Sequence, residues 1–191
     1  EKMSKSLGNF AMLKDLFSSY HPEVIRYYLI SSHYRSALNF DNASLDQAKS
    51  ALTRLYQALM TASSDASDTH DDSVKEFVDS MNDDLNTPEA LSTLFKLAKL
   101  INSCKDVQDR TKYSSTMKEL GQVLGLLNES PDVFFQHGAS LSDEEIEAQI
   151  KKRNIAREAK DFKTADQIRD DLAAKGILLD DSSDRTTWKK S

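Results

Sequence analysis

The sequence predicts a mainly α-helical chain: an antiparallel helical bundle followed by a small α/β module with a hairpin. Three observations lead there. Apolar residues recur in alternating steps of three and four at Leu45, Ala48, Leu52, Leu55 and Leu59, at Leu91, Leu94, Ala98 and Ile101, and at Met117, Leu120, Leu124 and Leu127. That spacing puts a stripe on one side of a helix and demands partner helices. Helix-start signals precede several of these runs, and strand-like runs are confined to the end of the chain, around Asp181-Ser182-Ser183-Asp184.

The elements follow in order. Glu1 to Phe10 places Lys2 and Lys5 among the small hydroxyl residues Ser4 and Ser6, closed by Gly8, and reads as a flexible loop able to bring two ammonium groups to one polyphosphate. His21-Pro22-Glu23 opens a helix whose buried face is Val24, Ile25, Tyr28 and Leu29. Ser32 to Phe40 has no helical period and reads as an ordered loop, with His33 and Arg35 as surface polar groups. Ser44-Leu45-Asp46-Gln47 has capping-box spacing and starts the first long helix. Ala62 to Asp72 is loop, with His70 exposed. A short helix carries Val74, Phe77, Val78 and Met81, and Thr87-Pro88-Glu89 starts the next, with Phe95 on its inward face. A third long helix runs from about Thr111 and turns Val123 inward with its leucines.

Pro131 to Leu141 reads as linker, with Phe134-Phe135 able to dock it. Ser142-Asp143-Glu144-Glu145 caps a further helix on which Arg153, Arg157 and Lys160 share one face. That helix breaks near Asp161-Phe162 and restarts at Lys163, Ile168 and Leu172 point inward, and Gly176 ends it. Ile177 to Leu179 and Arg185 to Trp188 then pair as a hairpin; Trp188 is either its core or a base platform.

Composition narrows function. The chain of 191 residues has a net charge of −6, unevenly spread: +2 over residues 1–60, −11 over 61–150 and +3 over 151–191. A polyanion could touch both ends while the acidic middle faces solvent. No run approaches the roughly 18 apolar residues a membrane span needs, and no apolar leader precedes the first helix, so the expectation is a cytoplasmic protein. The single cysteine, Cys104, excludes an internal disulfide and reads as a packed small hydrophobe; neither it nor His21, His33, His70 and His137 has zinc-site spacing.

Lys2-Met3-Ser4-Lys5-Ser6 resembles the KMSKS signature of class I aminoacyl-tRNA synthetases. Ser31-Ser32-His33-Tyr34-Arg35-Ser36-Ala37-Leu38-Asn39-Phe40 and Met81-Asn82-Asp83-Asp84-Leu85-Asn86-Thr87-Pro88 resemble segments of the cysteinyl-tRNA synthetases among them. The tail from Arg157 through Leu172, with Gly176 to Asp181 and Thr186-Thr187-Trp188, is similar to their C-terminal module, so the resemblance is collinear over essentially all of the chain.

What the resemblance implies is as follows. Residues 1–43 would be the KMSKS loop and a connecting stem-contact segment, 44–128 the bundle, 129–141 a linker, and 142–191 an anticodon-recognition module. Lys2 and Lys5 would be catalytic, offsetting charge on magnesium-bound ATP within an ATP-binding loop that includes Met3, Ser4 and Ser6. Arg157, Phe162, Asp166 and Asp181 would contact the anticodon of tRNA(Cys), with Phe162 where many members have tryptophan, and Arg35 would meet a backbone phosphate. The HIGH motif, the Rossmann-type catalytic domain and a zinc site selecting cysteine would precede residue 1. Cysteine and ATP would therefore be engaged through that domain, this chain would hold no metal and form no adenylate alone, and the enzyme would be a monomer. Related ligases that join activated cysteine to an amino sugar share the loop and part of the bundle. They need no anticodon reader, so the tail through Trp188 argues against them, and the lysine loop and tail together argue against a non-enzymatic helical adaptor.

Overall fold

The structure, a computed structural model, describes residues 13–17, 19–62, 69–137, 143–181 and 186–190. Lys2, Met3, Ser4, Lys5 and Ser6 lie outside the described residues. The chain divides into two units, 1–131 and 132–191.

In the first unit, α1 (Leu13–Leu16) precedes α2 (Pro22–Ile30), α3 (Asn42–Met60), α4 (Asp71–Asn82), α5 (Thr87–Ser103) and α6 (Val107–Val123). α2 packs on α3, α3 on α5, and α5 on both α4 and α6, giving a bundle without strands among its described residues. Leu45, Leu52, Leu55, Leu94, Leu97, Ile101 and Met117 fill its interior, the stripes that the three-and-four spacing predicts.

Carboxylate and amide caps set several helix starts more sharply than the apolar periods do. α3 begins at Asn42 because Asp41 accepts from the Ser44 backbone N–H at 2.6 Å, so Ser44 is already in the first turn instead of capping it. Those hydrogen bonds hold the Asp41 carboxyl below its ordinary range. Asn86, one residue before Thr87, caps α5. Asp106 caps α6, which therefore starts before Thr111, in a turn with no apolar signal.

Some expected inward residues face out: Leu29 and Val123 are exposed, and Phe95 is half-buried; Val78, carried by α4, is exposed as well. Val123 closes α6, after which Gly125 (φ 70°) and Leu127 (φ 57°) reverse the chain and send Leu124, Leu126 and Leu127 inward. Gly121 is needed there, since a Cβ on it would sit 2.7 Å from the Leu127 side chain. His70 is half-buried: its backbone N–H donates to Thr116 Oγ1 at 2.9 Å, its Nδ1 lies 2.9 Å from Ser73 Oγ, and its ring meets Tyr113 edge-on. Cys104 is half-buried just beyond α5, its thiol donating to the Asp106 carbonyl.

The reversal after α6 is tied to α2 by a buried carboxylate. Glu23 accepts from Tyr56 Oη at 2.8 Å, from Leu127 N at 2.9 Å, and from Asn128 N at 3.0 Å and Nδ2 at 3.3 Å. His21 caps α2 by accepting the Glu23 backbone N–H on Nδ1, so its proton sits on Nε2, which meets Glu129 at 3.0 Å.

In the second unit, the stretch expected as linker holds a short helix, α7 (Pro131–Gln136), in which Phe134 is buried and meets Phe135 edge-on. α8 (Asp143–Glu158) and α9 (Phe162–Ala174) pack on each other, and α9 packs on β1 (Ile177–Asp181), which pairs antiparallel with β2 (Thr186–Lys190). The core is Ile146, Ile150, Leu172, Ile177 and Trp188, with Ile168 and Leu179 against it. Trp188 is 4% exposed and is therefore a core residue, resolving the choice its sequence left open. Asp181, expected in the turn, is the last residue of β1 and faces Thr186.

Candidate nucleic-acid interface

The candidate site is built on the tight connection between α8 and α9. The Asp161 N–H donates to the Ala156 carbonyl at 2.8 Å and the Lys160 N–H to the Arg157 carbonyl at 3.0 Å, the paired bonds of a Schellman ending. Lys160 occupies the left-handed position usually given to glycine, at φ 58°. Asp161 at once caps α9, accepting from the Thr164 N–H at 3.2 Å, which lowers its carboxyl below the ordinary range. Two helices are thus joined through three residues, Ala159, Lys160 and Asp161, and Phe162 opens α9.

This geometry revises the cationic face read from the sequence. α8 ends at Glu158, so Lys160 leaves the helix and its face. Arg153 is 5% exposed and turned inward, where Nη1 and Nη2 donate to the two Asp181 carboxylate oxygens at 2.8 and 2.6 Å. Lys160→Gly should relieve the left-handed backbone and raise module stability by about 0.5–1 kcal/mol. Denaturant unfolding followed by Trp188 fluorescence checks this, and a decrease would contradict the strain argument.

Asp181 is the hub. Besides Arg153 it accepts from Thr186 Oγ1 at 2.8 Å, and Arg157 Nη1 approaches its Oδ2 at 3.5 Å. The Arg153 hydrogen bond is the chief reason its carboxyl lies well below the usual range, with Thr186 and the charges of both arginines adding to it. Three hydrogen bonds and one longer ion-pair approach thus converge on the two oxygens of Asp181.

Arg157 keeps its remaining donors toward solvent, its side chain 48% exposed. Phe162 is 63% exposed, an unusual place for a phenyl ring and one that leaves its face open. Asp166 lies one turn further along α9, on the same side as Phe162, and is exposed with Arg169 at 3.3 Å. One connection therefore presents a guanidinium, an aromatic face and a carboxylate, the chemistry that unstacked bases require. The role of Arg153 was not legible in the sequence, where its four-residue spacing from Arg157 suggests a shared exposed face. The alternating inward positions of β1 were the available signal that an acid would meet α8.

In the first unit, Arg35 is exposed but engaged. Its Nη2 donates to Asp84 Oδ1 at 3.1 Å and its Nε to Tyr34 Oη at 2.8 Å, while Tyr34 Oη donates to Asp84 at 2.8 Å and His33 stacks on Tyr34. Asp84 and Leu85 both take left-handed backbone, at φ 54° and 55°. This aims Asp84 at the loop.

Among the described residues no three His, Cys, Asp or Glu side chains gather as a metal site. Three of the described histidines are committed elsewhere, His21 to Glu23 and Glu129, His33 to Asp84, and His70 to Ser73. No helix among the described residues is long and apolar enough to cross a membrane.

Three family models match the chain in order: the class I (C) tRNA synthetase catalytic domain over residues 1–50, the DALR domain over 76–128, and the cysteinyl-tRNA ligase anticodon binding domain over 141–188. The cysteine–tRNA ligase of Methylococcus capsulatus is 44% identical over 200 aligned residues, which include 100% of this chain and 43% of that protein. Those of Azotobacter vinelandii and Haemophilus influenzae are 45% and 46% identical, each with 42% of its length aligned. The chain thus spans less than half the length of these relatives. The last of the three models covers the α8–α9 connection and the hairpin, where an amino-sugar ligase or an adaptor would need no such module. From the lysine loop to Trp188, the chain is collinearly similar to part of a cysteinyl-tRNA synthetase.

Proposed function

We propose that this chain is the tRNA-reading part of an ATP-dependent cysteine–tRNA ligase. In that reaction the cysteine carboxylate attacks the α-phosphorus of magnesium-bound ATP, pyrophosphate leaves, and the cysteinyl group passes from AMP to a terminal ribose hydroxyl of tRNA(Cys). Lys2 and Lys5 offset the charge that builds on the leaving pyrophosphate, within the loop formed with Met3, Ser4 and Ser6. Such a protein works in the cytoplasm, and as a monomer.

The observation that carries the reading is the exposed set on the α8–α9 connection: Arg157, Phe162 and Asp166. Phe162 stacks on an anticodon base, Asp166 accepts from a base amino or imino group, and Arg157 donates to a base acceptor. Asp181 supports this site by drawing Arg157 toward it at 3.5 Å while accepting hydrogen bonds from Arg153 and Thr186. Arg35, anchored on Asp84, contributes a backbone contact.

Binding of tRNA(Cys) and of an anticodon-swapped variant to the chain tests this. Asp166→Ala should cost about 1–3 kcal/mol for the cognate RNA and little for the swapped one. Phe162→Ala should cost about 1–3 kcal/mol, less selectively, since every base has a face to stack. Equal losses for both RNAs with Asp166→Ala would remove that carboxylate from the reading.

A further inference from the structure

The groove between α3 and α5 carries no acidic residue, although the chain has 31 acids against 25 bases. Its walls offer Arg54 and Gln57 from α3 and Phe95, Lys99 and Asn102 from α5. Arg54 lies over the Phe95 ring at 5.3 Å. Neither Arg54 nor Lys99 forms an ion pair among the described residues, whereas Lys96 on the same helix is paired with Glu76.

A guanidinium held over an aromatic ring is positioned without using its N–H donors as hydrogen bonds to that ring. Those donors remain available to an anion, and Lys99, one turn from Phe95, supplies a second cation. Gln57 and Asn102 add uncharged groups that both donate and accept, suited to phosphate oxygens and ribose hydroxyls. The half-buried Phe95 and the buried Ala98 give the groove an apolar floor. Two unpaired cations, neutral amides and no carboxylate match a sugar–phosphate backbone in charge and in hydrogen bonding.

We propose that this groove binds backbone phosphates of the tRNA through Arg54 and Lys99, with Phe95 positioning Arg54. This rests on RNA being the partner, as in the reading above, but not on the anticodon module. A contact of this kind carries affinity without sequence information.

The experiment measures binding of tRNA(Cys) and of its anticodon-swapped variant to the chain across a salt series. The doubly substituted Arg54→Gln, Lys99→Gln chain should bind both RNAs about tenfold more weakly near 0.15 M salt and lower the slope of log affinity against log salt by about 1.5. The charge-retaining Arg54→Lys, Lys99→Arg chain should keep the slope. Unchanged affinity and slope in the glutamine chain would overturn the groove, and so would an equal loss in both variants or a loss confined to the cognate RNA. Failure of Asp166→Ala to alter anticodon discrimination would refute the anticodon reading and leave the groove standing, so the two ideas fail separately.

Discussion

Asp181→Ala is expected to lower the unfolding free energy of the C-terminal module by about 2–4 kcal/mol. The substitution leaves the buried Arg153 guanidinium with its two short hydrogen bonds gone. An uncompensated buried charge is the costly outcome of breaking such a pair, and the part of Asp181 still open to water, 38% of its side chain, keeps the figure below the upper limit. Trp188 is the only tryptophan and lies in this module's core, so its fluorescence reports the module's unfolding directly. A loss below 1 kcal/mol would show that the pair is not structural. The acid response follows with a definite sign. The Asp181 carboxyl is held below its ordinary range in the folded state, so the unfolded chain takes up this proton first as pH falls. The contribution is complete above about pH 4 and is lost progressively as acid approaches the folded-state value. Asp181→Asn should lose that part of the acid slope.

Glu23→Ala is expected to destabilise the helical unit by about 2–4 kcal/mol. Three buried or half-buried donors lose their acceptor together: the Tyr56 hydroxyl and the backbone N–H groups of Leu127 and Asn128. Each donor left without a partner costs on the order of 1–3 kcal/mol, and relaxation toward water recovers part of it. Denaturant unfolding followed by far-ultraviolet circular dichroism measures the loss. Adding Tyr56→Phe in the Glu23→Ala background should cost less than Tyr56→Phe alone, because the hydroxyl's bond to Glu23 is then already gone. Additive effects would place the two residues in separate interactions. This change does not touch the α8–α9 site, so module unfolding reported by Trp188 should be unmoved.

The contrast between these two carboxylates and the apolar stripes shows where sequence reasoning succeeds. The leucine spacings of 45–59, 91–101 and 117–127 give the bundle because a helical period is a property of neighbouring residues. Helix starts were displaced by one to four residues at Asp41, Asn86 and Asp106, since a side-chain acceptor before the apolar run outweighs the run's own beginning. Leu29, Val78 and Val123 match a helical period yet face solvent, because the width of the buried stripe depends on which helices cover it.

The sequence by itself determined the class of fold, the order of its parts, the family it resembles, and the residue types at the candidate anticodon site, all carried by local period, caps and contiguous motifs. Tertiary structure alone decided which of those residues are exposed and which are engaged within the chain. It turned Arg153 inward, engaged Asp181 with Arg153 and Thr186, moved Lys160 off its helix and left Phe162 open. The physical reason is separation along the chain: Arg153 and Asp181 are 28 residues apart, and Glu23 and Leu127 are 104 apart. A charge's partner at such distances is set by how the elements pack, and no spacing in the sequence records it.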